Sequence, residues 1–142
     1  MKKIYLKTLE RFKEMPSIKF VDKDRAQIDT GESPAVQFPC ALISISLPKR
    51  KNLTETLQLC ECNITIRIAQ ERFADSSSLS DTQHLNLALQ YYDTIEEVET
   101  LFQGFGDSEM NRWECISSIE EQRADLDVMV FVFKTGFTKQ ID

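Results

Sequence analysis

Between Leu57 and Glu71 the chain alternates. The even positions Cys60, Cys62, Ile64, Ile66 and Ile68 are apolar, while the odd positions Glu61, Asn63, Thr65, Arg67 and Ala69 are mostly polar. A period of two marks a strand with one face on a core and one in water. About twelve such residues at ~3.3 Å each run about 40 Å, longer than an average strand. Near Leu57 and Leu59 the apolar residues change to the odd face, so this excess length is where a subunit contact is expected.

The other elements follow from the same reading. Lys2 to Met15 has helical spacing, with Tyr5, Leu9 and Phe12 on one stripe, Leu6 beside them, and Lys7, Glu10, Arg11 and Lys13 on the wet side. Pro16 stops this helix. Ile18 to Val21 reads as a short strand. Asp22 to Pro34 is a polar connection, either a mobile surface loop or an arm reaching a neighbour. Val36 to Leu47 is a second strand, with Pro39 at a bulge, an edge or its start because proline has no amide donor. Pro48 to Asn52 then interrupts, so Lys49, Arg50 and Lys51 form the tip of a hairpin with the long strand.

After a Ser-rich connection, Ser80 and Gln83 fit a capping box. The helix from Asp81 to Gln103 spaces Leu85, Ala88, Leu89, Tyr92, Ile95, Val98 and Phe102 to lie across the sheet, and Gly104 ends it. Gly104 to Asn111 is a loop. Trp113 to Glu121 and Leu126 to Thr138 are strands separated by the turn Arg123 to Asp125. The order α-β-β-β-α-β-β predicts one α+β domain over residues 1–142, a mostly antiparallel sheet of about five strands with two helices on one face.

At 142 residues, 42% apolar and 28% charged, the composition is that of a globular protein with one core. No apolar run approaches the ~20 residues of a membrane span. The interrupted N-terminus argues against a signal peptide and for synthesis in the cytoplasm. The net charge of −6 is unevenly spread. Residues 1–70 carry twelve Lys/Arg against eight Asp/Glu, while residues 71–142 carry five against fifteen. This polarity does not suit a dedicated nucleic-acid binder, but it suits copies of one chain meeting head to tail, or two solvated faces. Lys49, Arg50 and Lys51 are the concentrated basic cluster. They read as a solvated tip, or as a contact for an acidic partner surface or passing DNA phosphates.

Catalytic equipment is sparse. The one histidine, His84, has no nucleophile at a fixed spacing. Gly104-Phe105-Gly106 follows a helix rather than opening one, so it is not a phosphate loop. Glu96/Glu97 and Glu120/Glu121 are adjacent pairs whose side chains diverge, which does not make an acid/base couple. Glu96, Glu97 and Glu99 also crowd the end of the helix that its dipole disfavours for acids. Cys40, Cys60, Cys62 and Cys115 read as buried thiols; a zinc site would need Cys40 and Cys115 on neighbouring strands and lacks the usual paired spacing. The expectation is a protein that is not an enzyme and has no cofactor and no metal.

The chain resembles the bacteriophage tail terminator (tail completion, minor tail protein U-like) family, in the version carried by prophages of Bacteroides-type bacteria. The resemblance is carried by Pro34-Ala35-Val36 with Phe38 to Ile43, by Ile64 to Arg67, and by Ala88-Leu89 with Tyr91-Tyr92-Asp93. It continues in Leu101 to Phe105, Glu121 to Val128 and Val132 to Thr135. It implies a homo-oligomeric, six-membered ring in the virion that caps the tail tube, stops its growth and offers a surface to head-completion proteins. On that reading the partners are further copies of the chain, the tail tube, the head-completion proteins and non-specifically passing DNA, with no membrane. Lys49, Arg50, Lys51, Leu57 and Leu59 are the candidate interaction residues. The competing readings are another head–tail connector or neck protein, and a non-phage adaptor-type binding domain.

Overall fold

The computed structural model describes residues 1–30, 35–72 and 74–141. The elements are α1 (Lys2–Phe12), β1 (Phe20–Lys23), β2 (Cys40–Asn52), β3 (Leu57–Glu71), α2 (Thr82–Phe102), β4 (Glu114–Glu120) and β5 (Leu126–Gln140). This is the expected α+β order. The strands form one sheet in the order β1-β2-β3-β5-β4. Every pair is antiparallel except β1 with β2, so the sheet is mixed.

The alternation in β3 does what its period requires. Cys62, Ile64, Ile66 and Ile68 lie with Ala41 and Ile43 of β2 and with Phe131 and Phe133 of β5 on the face that both helices cover. α2 contributes Tyr91, Ile95, Val98 and Phe102, and α1 contributes Ile4 and Phe12. The centre is aromatic. Phe102 stacks on Trp113 at 5.2 Å and meets Phe12 edge-on at 4.8 Å, geometries that favour aromatic pairs beyond their buried area. Gly104, at φ +78, turns the chain out of α2, and its amide donates to the Trp113 carbonyl at 2.8 Å.

Several boundaries differ from the expectation for physical reasons. α1 ends at Phe12 and buries Ile4 and Thr8, whose hydroxyl donates to the Ile4 carbonyl; Leu6 is exposed. β2 starts at Cys40, just after Pro39, and does not stop at Pro48. A register shift between Ser46 and Lys49 absorbs that proline, and β1 pairs only with Cys40–Ile43, so no ladder bond is lost on the outer side. The cap of α2 is Asp81, whose carboxylate accepts from the His84 amide at 2.8 Å, and not Ser80. Tyr91, one position from the expected Tyr92, faces the core.

The other sheet face is not simply wet. Near the start of β5 it carries a second core of Cys40, Leu42, Ala69, Leu126 and Val128, closed by Ile28 with Val36 and Phe38 beside it. Residues 24–30, expected as a loop or an arm, are thus a strap folded onto their own sheet; residues 31–34 of that segment lie outside the described residues. The strap is latched by two arginines. Arg67 of β3 donates to both Asp29 oxygens at 2.9 and 3.0 Å and to both Glu121 oxygens at 2.8 and 3.0 Å, and it pairs with Asp24 at 3.2 Å. Arg123 donates to Asp29 at 2.7 Å, to both oxygens of Asp125, and to the Ile28 carbonyl.

These guanidiniums hold the carboxyls of Asp29 and Asp125 below the usual range, Asp29 chiefly through Arg67 and Asp125, at about 2, chiefly through Arg123. Both folded-state values lie below the unfolded ~3.9, so this contribution is complete above about pH 4 and is lost as pH falls toward about 2. Arg67→Ala deprives Asp24 of its partner and leaves Asp29 and Glu121 to Arg123 alone, and it is expected to lower stability by about 1–3 kcal/mol in urea unfolding at pH 7. Its stability loss between pH 4 and pH 2 should be shallower than in the wild type.

Candidate interaction surface

From Leu47 to Leu59 no residue is fully buried, although β2 and β3 remain paired to Asn52 and Gln58. β5 continues beside them to Gln140, opposite Leu57. The result is a three-stranded ribbon running on beyond the core. Its β2–β3 turn is Leu53 to Thr56, where the Leu53 amide donates to the Leu57 carbonyl at 2.8 Å and the Thr54 hydroxyl accepts from the Leu57 amide at 3.0 Å. The end of β5 ties this turn down. Ile141 donates its amide to the Thr56 carbonyl at 2.6 Å, and the Gln140 side chain donates to the Thr56 hydroxyl at 2.9 Å.

Lys49, Arg50 and Lys51 are therefore not the hairpin tip. They are strand residues, paired with Glu61, Cys60 and Leu59. Side chains alternate along a strand, so Arg50 lies on the helix-bearing face while Lys49 and Lys51 lie on the other. All three are exposed, and none forms an ion pair within the described residues. Glu61 is engaged instead by Lys134 at 2.5 Å, which lowers the Glu61 carboxyl. Leu59 is 44% exposed beside Lys51, and Leu57 is half-buried, so the structure brings Leu59 and the basic run together. Sequence reading missed Leu53 at the turn, 51% exposed, and Ile141 against it, 39% exposed. Neither belongs to a periodic run that would have singled it out.

Many of the remaining cations are already committed. Lys3 pairs with Glu109, Lys7 with Asp107 and Arg11 with Glu14, while Arg11 also donates to the Leu101 carbonyl and lies over the Phe105 ring. Conversely, Asp93, Glu96, Glu97 and Glu99 of α2 are exposed and form no ion pair within the described residues. The polarity of the sequence thus becomes a spatial one, with a basic ribbon end and an acidic helix whose named charges form no ion pair among the described residues.

The other candidate chemistry disperses. His84 is exposed and its Nδ1 contacts its own helix cap, Asp81, at 2.8 Å. Cys40 pairs with Ala69 on the strap-covered face, whereas Cys62 lies in the helix-side core, so the sheet itself separates the thiols that one ion would need. Burial pushes Cys40 and Cys62 up to about 11. Among the described residues no helix is long and apolar enough to cross a membrane.

Two outcomes follow from these placements. Changing Lys49, Arg50 and Lys51 together to Ser should move the thermal midpoint by no more than about 5 °C, since exposed, unpaired side chains contribute within about 0.5 kcal/mol each. In the native protein at pH 7.5, Cys40 and Cys62 should stay unmodified by a thiol reagent under conditions where the unfolded chain reacts completely, as mass spectrometry of peptides would record.

No protein-family model matches this chain, and no curated protein matches it at a significant level.

Proposed function

We propose that this chain is a structural subunit of a phage tail, a terminator-like protein that assembles with copies of itself into a ring on the end of the tail tube and offers its outer surface to head-completion proteins. The observation that supports this best is the ribbon end. A three-stranded, hydrogen-bonded projection displays exposed Leu53 and Leu59 beside Lys49, Arg50 and Lys51, which have no ion pair among the described residues, while carboxylates equally without one there stand along α2. A rigid apolar tip ringed by charge is suited to protein contact, because little conformational entropy is lost when it docks. Opposite charge on two separate surfaces of one molecule favours heterologous, head-to-tail contacts, which close into rings when the rotation allows.

The resemblance adds weight in a particular way. Its fragments Ile64 to Arg67 and Glu121 to Val128 meet at the Arg67 latch, and the fragment Phe38 to Ile43 supplies Phe38, Cys40 and Leu42 of the strap-side core. They are framework residues, and the family that the chain resembles is one that works by shape.

The purified chain is expected to form ring-shaped particles in electron micrographs, alone or on isolated tail tubes, with a mass several times that of one subunit. Changing Lys49, Arg50 and Lys51 to Ser should weaken assembly about tenfold, the combined worth of a few rim charges, and raising the salt should do the same to the wild type. Unchanged ring formation and tail joining in that variant would remove the basic run from the contact.

A further inference from the structure

α2 carries two stripes, and the core uses one. Tyr91, Ile95, Val98 and Phe102 point into the sheet. At ~100° per residue, Leu85, Leu89 and Tyr92 form a second stripe roughly 100° away, and Glu96 and Glu99 continue it along the same side. Leu89 is 38% exposed and Tyr92 44%, and the Tyr92 hydroxyl lies 3.3 Å from both Glu120 carboxylate oxygens on β4. The second stripe therefore borders the sheet edge, where β4 has no further strand and Ile119 is 65% exposed. Apolar side chains lead into carboxylates here, the complement of the ribbon end, where Leu53 and Leu59 lead into cations, and neither set forms an ion pair among the described residues.

We propose that this stripe of α2, Leu85, Leu89 and Tyr92 running into Glu96 and Glu99, is the seat for the ribbon end of a second copy of the chain. The inference rests on the ring-subunit reading above and names the contact within it. A molecule's own ribbon cannot fill its own seat. Glu120 is paired with Met129 and Leu57 with Gln140, and these two positions of β5 are eleven residues, about 36 Å, apart along the strand. Donor and acceptor are different surfaces at different ends, so each copy engages two neighbours and the contact propagates. The basic run supplies attraction and orientation, while the leucines and the Tyr92 ring supply the desolvated centre, where aromatic anchors contribute most.

The test uses two full-length variants and their mixture in analytical ultracentrifugation. The ribbon variant carries Leu53→Asp and Leu59→Asp; the seat variant carries Leu89→Asp and Tyr92→Asp. All four sites are exposed, and thermal melts confirm folding. A second seat variant, Glu96→Lys with Glu99→Lys, leaves the apolar residues untouched. The wild type is expected to form oligomers, each variant alone to be a monomer, and ribbon plus seat variants to form a one-to-one dimer that grows no further, because one intact donor and one intact acceptor remain. Seat variants that assemble like the wild type, or a mixture that stays monomeric, overturn the seat while leaving the ring reading standing. A wild type that stays monomeric to about 1 mM, and forms no ring on tail tubes, overturns the ring reading and the seat with it.

Discussion

Pairing of β3 with β5 along the whole length of both strands is the constraint on which the rest of the structure depends. Because side chains alternate with a period of two, a slip of one residue would turn Ile64, Ile66 and Ile68 away from the helices and drive Arg67 into the aromatic centre. The register that avoids this also places Ala69 opposite Val128 and Arg67 opposite Val130. One ladder therefore sets the helix-side core, the strap-side core and the length of the free ribbon together.

β3 accordingly passes through three environments. At its end it is covered on both faces, with Ala69 under the strap and Ile68 under the helices. In its middle, Arg67 stands where the second cover begins, and charge-assisted hydrogen bonds to Asp24, Asp29 and Glu121 meet the cost of desolvating its guanidinium. At its beginning, helices and strap no longer cover it fully, and the strand is held by its neighbours' backbone bonds and by the tied-down turn at Thr56. Stability and display are divided along a single element.

That division fits the proposed role. A subunit that works by shape needs a surface held firmly by a core that does not itself take part in the contact. Here the aromatic centre and the Arg67 latch lie away from the ribbon end, so residues such as Lys49 and Leu59 can be changed without undermining the fold. The bulge at Leu47–Pro48, the proline and the three cations also shield the uncovered outer edge of β2 against indiscriminate strand pairing. Contact through side chains, not through that backbone edge, is what such an edge permits.

Periodicity in the sequence was sufficient for the element order, the α+β class, the inward face of β3 and the core positions Ile95, Val98 and Phe102, because those depend on local geometry and on which residues avoid water. It was insufficient wherever distant segments decide. Whether Pro48 ends a strand depends on β1 stopping at Lys23, opposite Ile43, and whether residues 24–30 are loose depends on Ile28 packing into the second core and Asp29 finding Arg67 and Arg123. Whether Tyr91 or Tyr92 faces the core depends on where the sheet edge lies under α2. Leu57 and Leu59 were visible as a change of face, but their neighbours Leu53 and Ile141 became part of the same end only when β5 closed on the turn. Local pattern determined what each segment is; long-range pairing and charge, which no window of sequence contains, decided what each surface faces.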